Sequence, residues 1–451
     1  MTDAAMSDLL DWTFSDAPLD GEVLLPPPSS PVAPPVEITE DRARKLSLQL
    51  WMITSSLVVG LLAVLLVQPV ISASQVRLAV AQVVAAEDQA ALAHDEERLK
   101  RLSEAASPSW LDAQARRAEA GQTAPLPLRI LQPVPEAARV RSVEMLTREI
   151  VRAEVARKFT TPDGAVVTFL LPQFYRLDGG WKRIESPDAY WGDQIFDIGA
   201  RLDFNYYPAD DAFVTELRPY LEEVLARACA EWTCSADLHL TVNFANRYFQ
   251  SSEAPLPLAA DEPLLLALMP PHITRWGGYT LYLRSPHEVG YPVDAAGRDL
   301  LRRAVAAQVV FAVADQIIYA HGGLDQTGNA FFYALVARMT ARLGLDSPHV
   351  TTIRSASASF TTDQMWQVSL YFKTWKQPEE IRGALAILNR LLQNQPAAAE
   401  IELFHDLRSA QAPAAWLSGG LGIPVEAAHS QLQIAASNTR DDHMENSLAP
   451  P

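Results

Sequence analysis

Ala165-Val166-Val167-Thr168-Phe169-Leu170-Leu171, with Phe174-Tyr175 and Trp181 close behind, is the stretch whose reading decides the fold class. β-Branched and aromatic residues in a short run suit a pleated, half-buried surface, so a strand is expected. The run is bracketed by Thr161-Pro162-Asp163-Gly164 and Asp178-Gly179-Gly180, and glycine supplies the positive φ that tight hairpin loops require. Residues 140–155 carry further strand signals. Upstream, residues 75–106 are alanine-rich and charged with no helix breaker, which predicts a helix. Its Leu78, Ala85, Leu92 and Leu99 recur every seven residues, but Ala81, Asp88 and Asp95 deny the second apolar row of a coiled-coil seam. A helix followed by an antiparallel sheet is an α+β layout.

Toward the carboxyl terminus the pattern changes at Phe196. Residues 202–207 and 238–244 read as strands around an amphipathic helix over 212–230, and Tyr279-Thr280-Leu281-Tyr282-Leu283 is a further strand. Ser285-Pro286 and Gly290-Tyr291-Pro292 then lead into a long apolar helix over 296–319. The remainder to 436 reads as mostly helical.

Toward the amino terminus, residues 46–76 contain no charged side chain and include the apolar run 57–67, enough to cross hydrocarbon, which takes about 20 residues. A transmembrane helix is expected over 46–73. Arg42, Arg44 and Lys45 precede it and only Arg77 follows closely. Basic residues beside a span stay cytoplasmic, so the amino terminus is placed inside and the carboxyl-terminal region outside the cell membrane. With 45 residues ahead of it, the span reads as a retained signal-anchor rather than a cleaved signal peptide. The absence of any Asn-x-Ser/Thr acceptor fits a bacterial envelope. The first 41 residues hold nine acids and no Lys or Arg, with Pro26, Pro27, Pro28, Pro31, Pro34 and Pro35, so residues 1–45 are expected as a disordered acidic cytoplasmic tail. Within it Leu9, Leu10, Trp12 and Phe14 gather among acids, as in segments that fold onto a partner's basic groove; a solvated tail is the plainer alternative. A second disordered tail is expected over 437–451.

A chain of 451 residues, 49% apolar and 20% charged, can build about three domains. Its net charge of −17 opposes broad attraction to nucleic-acid phosphates, so no nucleic-acid partner is expected. Two cysteines cannot make a disulfide framework or a Cys-rich zinc site. Cys229 and Cys234 sit close together at a helix end in an exported region, and two readings stay open: a disulfide that pins the helix end, or two free core thiols.

Phe174-Tyr175-Arg176 followed by Gly180-Trp181-Lys182-Arg183 resembles the closing hairpin of the SnoaL-like, nuclear-transport-factor-type cone fold, in which helices precede a curved sheet. The resemblance implies a juxtamembrane helix and a cone-like α+β domain over 74–195. That superfamily includes enzymes and simple ligand-holding modules, so it assigns no chemistry. Residues 196–436 are similar to extracytoplasmic gluzincin, or peptidase MA-like, zinc peptidases, with strands, a long apolar helix and then helices. Trp416-Leu417-Ser418-Gly419-Gly420-Leu421-Gly422 is similar to the turn before the last helix of such domains. A gluzincin binds zinc through two His at i and i+4 on its long helix, with a Glu between them as general base. Laid on that pattern, Ala307 and Phe311 occupy the ligand places and Gln308 the place of the base. Residues 289–378 contain no Glu, so no shifted register restores the site. The domain is therefore read as a mixed strand and mostly helical gluzincin-like domain lacking its zinc motif, with no metal and no cofactor.

The remaining inventory agrees. No two of the nine His lie closer than 14 positions, so no HxxxH chelate exists. His287-Glu288 imitates the start of a zinc motif, but Tyr291 stands where the second His would be, and the segment reads as a loop. No Gly-x-Ser-x-Gly elbow is present. Arg302 and Arg303 on the long helix could grip a carboxylate, or snorkel to solvent. Together these features predict a single-pass, non-catalytic extracytoplasmic binding or sensing protein of pseudopeptidase type. It would touch the lipid bilayer through one helix and an unknown protein or peptide partner, with the peptide cleft that the resemblance implies around Ala307, Gln308 and Phe311 holding a partner or nothing. The alternatives are a transmembrane signalling or tethering protein acting through its acidic tail, and a hydrolase with an unrecognised site.

Overall fold

A computed structural model describes residues 40–104, 108–119, 121–123, 126–136, 138–245, 262–268, 272–275, 278–320, 329–353, 360–367 and 378–448. The chain divides into two units, Met1–Pro69 and Val70–Pro451. Helix α1 runs Glu40–Leu92. Among the described residues no helix is long and apolar enough to cross a membrane. Most side chains of the expected span, 46–73, and all of Leu9, Leu10, Trp12 and Phe14 lie outside the described residues.

The expected helix over 75–106 is two helices. His94 takes φ +54°, and its ring Nδ1 lies 3.0 and 3.1 Å from the Ala118 and Glu119 carbonyls. Asp95 then accepts from the Arg98 backbone N–H at 2.9 Å, capping α2, Glu96–Leu102. α3, Pro108–Glu119, follows.

The first sheet comprises β1 (Gln132–Pro133), β2 (Arg139–Met145), β3 (Ile150–Thr160), β4 (Val166–Leu177) and β5 (Trp181–Ile184), paired antiparallel. The strand signals over 140–155 are split between β2 and β3 because the Thr147 hydroxyl accepts from the Glu149 and Ile150 N–H groups at 3.2 and 3.0 Å and turns the chain. β3 and β4 pair from Ile150↔Arg176 to Thr160↔Val166 around Gly164 at φ +84°, and β5 closes on β4 through Leu177↔Trp181 around Gly179 and Gly180. Both expected hairpins are present. Val151, Ala153, Val155 and Tyr175 of this sheet pack against Val80 and Val84 of α1.

After α4, Asp188–Trp191, a second sheet is built from β6 (Ile195–Asp197), β7 (Leu202–Tyr206), β8 (Leu240–Ala245), β9 (His272–Thr274) and β10 (Thr280–Arg284), in the order β6-β7-β8-β10-β9. β7, β8 and β10 run parallel, with β6 and β9 antiparallel at the edges. Parallel neighbours need a crossover, and α5, Asp211–Trp232, supplies it between β7 and β8. α6, Pro286–Val289, leads into β11, Tyr291–Pro292, which returns to the first sheet and pairs with Leu170 and Phe169 of β4. The expected boundary at 195/196 is thus crossed by hydrogen bonds. It is also crossed by packing, since Phe159, Val167, Phe169 and Leu171 belong to the same core as Phe204, Phe244 and Leu281.

The rest is helical: α7 (Ala295–Ala320), α8 (Ala330–Arg342), α9 (Thr362–Trp366), α10 (Pro378–Leu391), α11 (Ala397–Asp406), α12 (Pro413–Leu421) and α13 (Val425–Leu448). The stretch 416–422, expected as a turn, is the body of α12; only Gly422, at φ +63°, is the left-handed end. Gly420 is required by close approach, because a Cβ there would lie 2.9 Å from Leu403 Cα of α11. α13 continues past 436, through much of the segment expected as a tail.

Asp346 ties this helical region to the turn Leu264–Leu266. Its Oδ2 accepts from Leu264 N at 2.5 Å and its Oδ1 from Ser347 N at 2.7 Å. Burial pushes its carboxyl up to about 6 from the ordinary 3.8, against the pull of those two donors. A raised carboxyl contributes stability that is fully present below the unfolded value and lost as pH rises through the folded one. Relative to Asp346→Asn, the wild-type chain should therefore gain stability between about pH 7 and about pH 4. Denaturant melts at both pH values check this, and a difference that does not move with pH contradicts it.

Candidate functional site

Ala307, Gln308 and Phe311 lie within the body of α7, where Ala304 through Ala314 are all buried. Ala307 and Gln308 have no exposed surface. Gln308 Nε2 donates to the Leu265 carbonyl at 2.5 Å. Phe311 meets the rings of Phe332 and Tyr333 of α8 at 5.3 and 5.1 Å. These positions are therefore packed into the core, and of the two readings left open there, a partner or nothing, the burial favours the second. The physical cause is the sequence Ala-Ala-Gln-Val-Val-Phe itself, whose apolar area is better buried than left open at about 25 cal/mol per Å². Among the described residues no group of three His, Cys, Asp or Glu side chains converges to hold a metal ion.

A different constellation stands at the carboxyl ends of the parallel strands, the place where open α/β sheets collect ligands. Asp210 follows β7 and Ser285, His287 and Glu288 follow β10. Asp210 occupies the cap position of α5, yet its side chain makes no capping bond to that helix. Instead it turns inward, fully buried, and its Oδ1 accepts from Ser285 Oγ at 3.0 Å and from His287 Nδ1 at 2.8 Å. Its Oδ2 is buried without a hydrogen-bond partner among the described residues. With Nδ1 directed at the Asp210 oxygen, Nε2 is the ring atom turned away from the carboxyl. The imidazole is partly exposed and stacks on Tyr291 at 5.3 Å. Beside it Glu288 pairs with Arg284 at 3.0 Å, and burial pushes its carboxyl up while Arg284 opposes.

No protein-family model, curated protein or solved structure matches this chain.

Ser, His and Asp together invite comparison with a hydrolytic triad, but the connectivity differs. In a triad the serine gives its proton to the histidine, and the aspartate holds the other ring nitrogen. Here Ser285 is fully buried, donates to the aspartate, and accepts from the His287 backbone N–H at 3.1 Å as the cap of α6. A serine so engaged is a structural pin rather than an activated nucleophile. What the cluster offers chemically is one oriented imidazole.

His287-Glu288, expected as a loop, lie in the short helix α6, and no local pattern links them to Asp210, 75 positions before Ser285. The one available signal was that each follows a strand end. Cys229 and Cys234 are joined as a disulfide at the end of α5. Arg302 and Arg303 both pair with Asp299, at 3.0 and 2.8 Å, and Arg303 also reaches the Leu345 carbonyl.

Proposed function

We propose that the chain is a single-pass membrane protein that holds its region from 74 onward outside the cytoplasm, where it serves as a non-catalytic binding or sensing protein of pseudopeptidase type. The carrying observation is that Ala307, Gln308 and Phe311, the positions that would hold zinc and the general base, are core side chains with an amide bonded to backbone. The anchor is supported by the uncharged stretch 46–76, through which the backbone of α1 continues as helix, and by Arg42, Arg44 and Lys45 on its amino-terminal side. The SnoaL-like likeness is supported by the β4–β5 hairpin with helices ahead of it, and the gluzincin-like one by strands preceding the long apolar α7.

Topology is tested by a reporter enzyme active only outside the cytoplasm. Fused after Ala436 it should be active, and fused at Pro31 it should be silent. The reverse pattern contradicts the exported reading.

A further inference from the structure

Between α1, α3 and the inner face of the first sheet lies a buried cluster of charge that plays no part in the site above. α1 contributes the buried Glu87 and the partly buried Asp88, α3 Arg117, β3 Arg157 and β5 Arg183, with Tyr175 of β4 and the Gln173 to which its hydroxyl donates alongside. Asp88 takes both terminal nitrogens of Arg157, at 2.7 and 3.0 Å. Glu87 Oε2 accepts from Arg183 at 3.3 Å, and Arg183 lies over the Tyr175 ring. Two carboxylates are thereby matched to two guanidinium groups, and Arg117 is the third.

Arg117 is only 5% exposed, and its Nε and Nη1 have no hydrogen-bond partner among the described residues. Gln173 Nε2 and Arg157 Nε are further buried donors without one, against a single acceptor, Glu87 Oε1. Burial draws Arg117 down to about 10, Glu87 pulling the other way and Arg183 and Arg157 adding to the fall. The group is therefore still protonated at neutral pH. An isolated buried charge is strongly unfavourable, and such groups are found paired.

We infer that Arg117, with Arg157, Arg183 and Gln173 around it, forms a binding site for a small, singly charged carboxylate. One negative charge balances the cluster, and a guanidinium presents the planar donors that a carboxylate fits better than a spherical halide. This assignment rests on the binding reading above. A chain without the anion would still be the non-catalytic protein proposed, and its zinc content, measured separately, decides that.

The test uses the full chain purified in detergent and dialysed into a zwitterionic buffer, with acetate, phosphate or chloride added. Acetate should raise Tm saturably, by about 3 °C or more well above its Kd, and labelled acetate in equilibrium dialysis should bind at about one per chain. Arg117→Met should raise the ligand-free Tm, because it removes the uncompensated charge, and should abolish the acetate response. Arg117→Lys keeps the charge without the planar donors and should respond more weakly. Three results overturn the inference: equal shifts with acetate and chloride in both wild type and Arg117→Met, meaning an adventitious ion only; a shift with phosphate but not acetate; or an Arg117→Met chain of lower Tm alongside a wild type indifferent to acetate.

Discussion

Trp416→Ala is expected to lower the stability of the chain by about 3–5 kcal/mol, the largest effect of any single substitution considered for the helical region. The indole has no exposed surface and sits where four helices meet. Its ring centroid lies 5.3 Å from Phe331 of α8 and 5.4 Å from Trp366 of α9, and its Nε1 donates to the Leu403 carbonyl of α11 at 2.7 Å. Truncation leaves a cavity and also a buried carbonyl without its donor. Trp416→Phe retains most of the volume and loses chiefly the hydrogen bond, so a smaller cost of about 1–2 kcal/mol is expected. Chemical denaturation of both variants separates the two contributions. A Trp416→Ala loss no greater than that of Trp416→Phe contradicts the packing described.

Asp210→Ala is expected to cost about 3 kcal/mol, because it strips the acceptor from two buried or partly buried donors at once. Ser285 Oγ and His287 Nδ1 both end on the same Asp210 oxygen, and α6 is positioned through them. Ser285→Ala removes one of these bonds and the helix cap and should cost about 1 kcal/mol. The pair also discriminates functions. If the cluster were a hydrolytic site, Ser285→Ala would abolish a measurable esterase or peptidase activity while barely changing stability. A structural pin gives the opposite pattern, with stability reduced and no activity to lose.

The elements that were legible in the sequence are those with strong local signals. Gly164 and the Gly179-Gly180 pair announced hairpins because only glycine is at ease at the φ values those loops take. The apolar residues on both sides of Gln308 over 304–314 announced a long apolar helix, and α7 is one, buried along that stretch. The misread segments depended on distant partners. Nothing local in 416–422 tells that Gly420 is a contact point for Leu403 within a helix rather than a turn residue. The break at His94 is held by carbonyls of α3, 24 and 25 positions away. β11 is two residues long and exists only because β4 offers it an edge. The candidate sites follow the same division. That Ala307 and Phe311 are apolar could be read directly, whereas the Asp210–His287 pair and the Arg117 cluster are assembled from residues far apart in the chain.

The metal content of the purified chain tests most directly the proposal that α7 serves packing rather than metal chemistry. After dialysis against chelator and then against zinc, elemental analysis alongside a melting curve should find no stoichiometric zinc and no rise in Tm, since zinc needs three or four nitrogen, oxygen or sulfur ligands at fixed geometry. About one zinc per chain, with a melting point that rises on adding the metal, would contradict the account.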